Sequence, residues 1–257
     1  MTALARLYKG ASVLRAIATA RFAGITGGSG APVFLDVGAR GGLSPRWDLV
    51  ARSGLISPVF VEADHVEAAR LALRHPRARL IGTAVGAVDN AELQLHLTRE
   101  PGRSSLLRPD VERLREFGDL ESWEILEQRP LTVRRLDRVW PDGCPTPTYV
   151  KIDVQGFELQ VIEGMGALLD SVQCIELEAM LAPAYIGQPT LTQVAECLMT
   201  HGFDLVRLAS MGLYGGRAML EFNAFWVRRE SHQDPQVKFW KAVNGVGSVH
   251  RAVVWGY

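Results

Sequence analysis

Four short stretches hold the residues whose types and spacing could do chemistry. The first is Asp36-Val37-Gly38-Ala39-Arg40-Gly41-Gly42. Glycines there let the backbone approach a ligand, and free N–H groups at such a turn would face it. The second is Glu62, 21 residues beyond Gly41. An acid about 20 residues past a glycine turn is the expected partner of a ribose diol. The third is Lys151 with Asp153, and the fourth Glu176 with Glu178. Residues two apart on a strand point to one face, so neighbouring strands would place one cation and three carboxylates together. Buried charges must pair or shift their pKa. The expected arrangement pairs Lys151 with Glu176 deeper in the sheet, while Asp153 and Glu178 open into a pocket.

The glycine pattern bears on the ligand. Gly38, Gly41 and Gly42 form G-x-x-G-G, not the dinucleotide G-x-G-x-x-G, and Arg40 stands where the second glycine should clear a pyrophosphate. Asp36, two residues before Gly38, suits a cationic ammonium and sulfonium better than a pyrophosphate. S-adenosylmethionine is therefore favoured over NAD, with an NAD-linked oxidoreductase and a catalytically inactive cofactor-binding module as the alternatives. Ser104 and Ser105 follow Gly102 in a loop that could close over cofactor or substrate. Two strand-end carboxylates could hold Mg²⁺ or Ca²⁺ with waters, but no third ligand is evident. The six histidines show no ligand spacing, so no metal residue is assigned.

The elements that must position these residues read as alternating strands and helices. Residues 33–38, 58–62 and 79–85 are short apolar runs. Residues 45–53 and 64–74 suit helices, the second with Val66, Ala69 and Leu73 on one face. Residues 91–98 alternate as a half-exposed strand. Residues 99–128 are charged and irregular, with short helices expected over 111–117 and 120–126 and strand character returning over 131–139. Residues 149–154 and 173–178 read as strands, 157–169 and 191–201 as helices, and 204–208 with 218–228 as a closing antiparallel pair. This alternation predicts a parallel, doubly wound α/β sheet. Its ligands bind beyond the carboxyl ends of the strands, near the switch in strand order.

Composition sets the outer bounds. The 257 residues carry 28 Lys and Arg against 28 Asp and Glu, with 47% apolar and 22% charged residues. That excludes a disordered chain, a fibre and a small disulfide scaffold, and it argues against a nucleic-acid partner. Cys144, Cys174 and Cys197 form no C-x-x-C and suit a reducing, cytoplasmic compartment. No apolar run approaches the ~20 residues that span a bilayer. Before Asp36 there is no acid, and Leu4, Leu7, Ala11, Leu14 and Ala18 recur at helical spacing. Residues 1–32 are thus expected to be an amphipathic helix and a Gly/Ser linker. The helix, residues 1–22, would pack on the body, touch a membrane surface peripherally or serve as a transit peptide. Residues 33–230 form the catalytic domain, and 231–257 a helical extension holding Phe239, Trp240, Trp255 and Tyr257.

The runs FLDVGARGG (34–42), VFVEAD (59–64), TAVGAVDNAELQLH (83–96), SSL (104–106), VRRLDRV (133–139), YVKIDVQGFELQVIEGM (149–165) and CIELEAM (174–180) resemble the FkbM family of S-adenosylmethionine-dependent methyltransferases. The resemblance covers about residues 33–210, and the 149–165 run is its most specific part. It implies a Rossmann-like class I methyltransferase fold: a mostly parallel seven-stranded sheet with an antiparallel last strand. It also implies O-methylation of a hydroxyl on a sugar, glycan, lipid-linked saccharide or polyketide-type acceptor. By carry-over, Gly38, Arg40 and Gly41 line the methionine moiety, Glu62 holds the ribose and Ala84 lies near adenine. Asp153 sits at the transfer site, supported by Lys151. With the readings above, the cofactor-facing set is Asp36, Gly38, Ala39, Arg40, Gly41, Glu62, Ala63, Ala84, Ser105 and Asp153, and the catalytic set Asp153, Lys151 and Glu178. Gln155 stands where the family often has Glu, so no catalytic acid is assigned there.

Overall fold

A computed structural model describes residues 3–22, 24–25, 27–116, 118, 120–210 and 221–246. In chain order the elements are α1 (Ala3–Phe22), β1 (Val33–Val37), α2 (Pro45–Arg52), β2 (Ser57–Val61), α3 (His65–Arg74), β3 (Arg79–Ile81), β4 (Ala84–Val85), β5 (Ala91–Thr98), α4 (Val111–Leu114), β6 (Ile125–Arg134), α5 (Leu136–Val139), β7 (Pro147–Ile152), α6 (Glu158–Gly164), β8 (Cys174–Met180), α7 (Leu191–Thr200), β9 (Phe203–Ser210), β10 (Glu221–Arg228) and α8 (Pro235–Asn244). The main sheet has seven strands in the order β3-β2-β1-β7-β8-β10-β9. Strands β3, β2, β1, β7 and β8 are parallel, and β10 runs antiparallel to both of its neighbours. This is the expected doubly wound sheet with its antiparallel last strand.

The central strands are apolar without alternation because helices cover both faces. On one face Leu35, Val150, Ile175 and Leu177 pack against Val161 and Ile162 of α6 and Val194 and Leu198 of α7. On the other, Phe34, Phe60, Tyr149 and Phe225 pack against Trp47 of α2, Trp240 of α8 and Val13, Ala16 and Ala20 of α1. All of β1 and all of β8 are buried. Asp36, Glu176 and Glu178 are therefore carboxylates inside a hydrophobic layer, and each needs a specific reason to be there.

Several sequence expectations are corrected. Residues 79–85 do not form one strand. β3 ends at Ile81, and Ala84–Val85 pairs with β6 in a second, three-stranded sheet ordered β4-β6-β5. The helices expected in 111–126 shrink to the single turn α4 and a 3-10 turn at Glu121–Trp123, and β6 starts at Ile125. Strand character ends at Arg134, where α5 follows. In α3, Val66 and Leu73 are exposed, and the inward face is Glu67, Ala68 and Leu71. In α1 the apolar stripe is displaced: Leu14 and Ala18 are exposed and Val13, Ala16 and Ala20 are buried. The side chains of Leu4, Leu7 and Ala11, residues 218–220 of the closing strand pair, and Trp255 and Tyr257 lie outside the described residues.

Candidate functional site

Strand order reverses between β1 and β7, so the carboxyl ends of β1, β2 and β7 meet around a crevice. A cavity of about 250 Å³ opens there. Its floor is the glycine turn after β1. Gly38 has φ +76°, and a Cβ on it would lie 1.9 Å from the Asp153 carbonyl oxygen. Only glycine lets the turns after β1 and β7 interlock this closely. The expectation of free N–H groups is overturned. Gly38 and Ala39 donate to the Val61 carbonyl at 3.0 and 3.1 Å, and Gly42 donates to Ala39 at 2.8 Å. Gly41 donates to Glu67 Oε1 at 3.0 Å. The turn offers close approach of its backbone, not a set of open donors.

Beside it, Glu62 is buried at the end of β2 and accepts from the Asp64 N–H through Oε1 at 2.9 Å. Burial raises its pKa, against the pull of that N–H and of Arg40. Arg40 does not project freely toward a ligand. Its Nη2 donates to Asp64 Oδ2 at 2.9 Å, and Arg129 of β6 donates to the other oxygen at 3.3 Å. Asp64 thus ties the β1 turn to the second sheet while capping α3 through the Val66 N–H.

The charged row is paired differently from expectation. Asp36, Lys151 and Glu176 are direct neighbours across β1, β7 and β8. Lys151 Nζ sits 3.6 Å from Asp36 Oδ1 and 3.1 Å from Asp153 Oδ2. Glu176 pairs instead with Arg46 of α2, at 2.8 Å. Burial opposes a charged Lys151, yet Asp153 and Asp36 hold its pKa above the ordinary value. Burial also pushes Asp36 up to about 6 in spite of Lys151. Asp153 feels the same burial, but Lys151 brings it below the usual carboxylate range.

Two residues that sequence reasoning left unassigned complete the site. Gln155 adopts φ +56°, a left-handed conformation rare for its type. Its Nε2 donates to Asp153 Oδ1 and to Glu178 Oε2, both at 3.1 Å. Glu178 is therefore held behind Gln155 and does not open into the cavity, which corrects the expectation. Glu158, 5% exposed, accepts through Oε1 from the Val154 and Gly156 N–H groups at 3.2 and 3.0 Å. The pattern Gln155-Gly156-Phe157-Glu158 was visible in the chain, but it signals a tight turn only once the turn's free N–H groups are known. Burial raises Glu158 to about 7.

Glu158 therefore gives a pH prediction. A carboxyl raised from 4.5 to about 7 on folding adds stability that is full below 4.5 and is lost as pH rises through 7. Glu158→Gln keeps the acceptor oxygen and removes the titration. Thermal unfolding between pH 5 and 8 should fall less steeply with pH in the variant, by about 3 kcal/mol over the window. Parallel curves for the two proteins would remove Glu158 as the titrating group.

Of the expected residues, Gly38, Arg40, Glu62, Ala63, Ala84, Ser105 and Asp153 line the cavity. Asp36, Ala39, Gly41, Lys151 and Glu178 do not. Ser105 is buried, and its hydroxyl donates to the Gln155 carbonyl at 2.7 Å while accepting from the Leu107 N–H. It fastens the 99–108 loop over the cavity. Apolar walls come from Val37, Val61, Val85, Leu95, Leu97 and Phe157. Among the described residues no group of three or more His, Cys, Asp or Glu is arranged to hold a metal ion.

The sheet order and the cavity at its reversal define a Rossmann-like α/β protein of the class I methyltransferase architecture. The model of the methyltransferase FkbM domain matches residues 36–205, about two thirds of the chain. The chain belongs to this family of S-adenosylmethionine-dependent methyltransferases. No curated protein matches the sequence. Among solved structures, magnesium protoporphyrin IX methyltransferase from Synechocystis PCC 6803, with bound SAM, is 13% identical over 86% of this chain and 79% of that one, at a TM-score of 0.41. The 1,6-didemethyltoxoflavin-N1-methyltransferase of Burkholderia thailandensis is 14% identical over 85% and 78%, at 0.38. Sp1610 of Streptococcus pneumoniae is 13% identical over 77% of this chain, at 0.39, and the chain spans 64% of its length. Likenesses this distant say nothing of the acceptor.

Proposed function

We propose that this protein methylates a hydroxyl oxygen of a sugar, glycan, lipid-linked saccharide or polyketide-type small molecule. The observation that carries the reading is the juxtaposition across the Gly38 turn. A buried carboxyl, Glu62, flanks the cavity at the end of β2, and an ionised carboxylate, Asp153, flanks it at the end of β7. The walls suit S-adenosylmethionine. Glu62 would accept from the two ribose hydroxyls. Ala84, Val85 and Phe157 would face the adenine, and the Gly38 turn with Ala63 and Arg40 would line the remainder. Asp36 and Asp153 against the single Lys151 leave the region one negative charge in excess at neutral pH, which suits a sulfonium cation.

When bound, S-adenosylmethionine supplies an electrophilic methyl group for in-line displacement by the acceptor oxygen. Alignment supplies a large part of such acceleration. Asp153 keeps 34% of its side-chain surface accessible, enough for an acceptor hydroxyl to reach a carboxylate already fixed by Lys151 and Gln155. A carboxylate held low is a weak base. It orients the hydroxyl and takes its proton as the oxygen becomes alkylated, when that proton is far more acidic. The balanced charge of the chain supports a small acceptor over nucleic acid. The three free cysteines support a cytoplasmic setting.

Calorimetry tests the donor assignment. S-adenosylhomocysteine should bind and NADH should not. Glu62→Gln keeps the acceptor for the Asp64 N–H but loses the charge, and should weaken S-adenosylhomocysteine about tenfold or more, ~1.5 kcal/mol. Unchanged affinity would take the ribose away from Glu62, and binding of NADH alone would return the oxidoreductase alternative.

A further inference from the structure

At the transfer site, Gln155 does more than fix Asp153. Gln155 is held from every side. Its carbonyl accepts from Ser105 Oγ at 2.7 Å. The N–H groups on either side of it, Val154 and Gly156, both donate to Glu158. Its side-chain Oε1 lies 2.9 Å from the Tyr185 hydroxyl, whose single proton is shared between that oxygen and the Arg103 carbonyl. Turning the amide round would aim Oε1 at two carboxyl groups, one of them ionised. Its Nε2 therefore faces Asp153 and Glu178, with one hydrogen for each.

Two carboxyl groups bound to one nitrogen cannot both carry a charge cheaply in a buried layer. Lys151 decides between them, because its ammonium touches Asp153 and not Glu178. Glu178 Oε1 is buried without a hydrogen-bond partner. The two carboxyl groups also lie within hydrogen-bond reach of one another. A proton on Glu178 resolves both facts, since it turns one of two opposed acceptors into a donor toward Asp153.

We propose that Gln155 is a positioning residue that clamps Asp153 and Glu178 into a pair holding one proton, with Glu178 as the acid and Asp153 as the carboxylate. The proposal rests on the methyl-transfer reading and extends it: the pair keeps the base charged and aimed while storing no second negative charge beside it. Burial and the Asp153 charge raise Glu178 well above the usual range, in keeping with this. The groups that set the pair's titration are Lys151 on β7, Asp36 on β1, Glu176 on β8, Glu158 on α6 and Glu221 on β10. Tyr185 and Arg103 join them from the loops packed over it.

The test is a carbon-13 NMR titration of the side-chain carboxyls in the full chain, assigned with Glu178→Gln and Asp153→Asn. Glu178 should remain protonated at pH 7 with Asp153 ionised. Gln155→Gly keeps the left-handed backbone and removes the amide. It should shift the pair's titration upward by about one pH unit, and Gln155→Glu, which adds a third carboxyl, should shift it further. A Gln155 acting only on the turn would leave the Glu178 titration in place. Glu178 ionised at pH 7 in the parent chain, or the same curve in Gln155→Gly, overturns the proposal. The titration needs neither donor nor acceptor. Failure of S-adenosylhomocysteine to bind would sink the methyl-transfer reading without touching this result, and the reverse also holds.

Discussion

Asp153→Asn should abolish methyl transfer while leaving S-adenosylhomocysteine affinity within about tenfold, ~1.4 kcal/mol. The substitution is isosteric and leaves the backbone anchored, since the residue 153 N–H donates to the Val37 carbonyl at 2.9 Å. What changes is the charge and one hydrogen-bonding edge. In the parent chain both carboxylate oxygens accept, one from Lys151 Nζ and one from Gln155 Nε2. An amide can accept on one side only, so its NH₂ must confront the other donor. The acceptor hydroxyl then loses the group that orients it and takes its proton. Turnover, followed as S-adenosylhomocysteine release with an acceptor that the parent chain methylates, should drop by at least about 10²-fold. That lies within the roughly 10²- to 10⁴-fold attributed to positioned acid–base groups. Undiminished turnover would remove Asp153 from the mechanism, and loss of cofactor binding to the same extent would recast it as a cofactor ligand.

Lys151→Met should give the largest loss of stability, and the loss should depend on pH. The ammonium lies between Asp36, 2% exposed, and Asp153. Removing one partner of a buried charge cluster costs about 3–5 kcal/mol, because the remaining charges stay desolvated. The sign with pH follows from Asp36. Its folded pKa, about 6, already exceeds its ordinary 3.8, so its contribution is full below 3.8 and is lost as pH rises through 6. Lys151 is the influence that holds that value down. Without it the folded pKa of Asp36 climbs further, and the losing window extends upward. Urea unfolding should show a larger deficit at pH 8 than at pH 5. Equal deficits, or a cost below about 1 kcal/mol, would mean that the row is neutralised by something other than Lys151.

The parts of the fold legible in the sequence are those that apolar patterning alone decides. β1 and β8 are buried along their whole length and β2 and β7 along most of theirs, and their alternation with helices predicts the parallel, doubly wound sheet. Where a polar contact decides, the pattern misleads. In α3 the helix turns Glu67 inward because its carboxylate receives the Gly41 N–H, at 3.0 Å. Apolar periodicity reads Val66, Ala69 and Leu73 as the inner face because it cannot register that bond. In α1 the inner face is set by contact with α8 and α2, elements remote in sequence. Residues 79–85 look like one strand, yet Gly82 and Thr83 break it and pass Ala84 and Val85 to the second sheet.

The same distinction runs through the site. Spacing gathered Lys151, Asp153, Glu176 and Glu178 onto one face, and the strand register adds Asp36 to them. The partner of Glu176 is Arg46, 130 residues away, and no local signal points to it. Asp36, across the strand pair from Lys151, was the neighbour to weigh against Glu176. Gln155 looked like a neutral replacement for an acid. Its importance lies in a positive φ and in two 3.1 Å bonds, neither of which a one-dimensional pattern contains.

A crystal structure grown with S-adenosylhomocysteine tests the central claim most directly. The molecule should occupy the crevice at the strand reversal, with its ribose hydroxyls on Glu62 and its sulfur turned toward Asp153. A crevice closed by side chains, or one that takes a pyrophosphate compound in its place, would contradict the account.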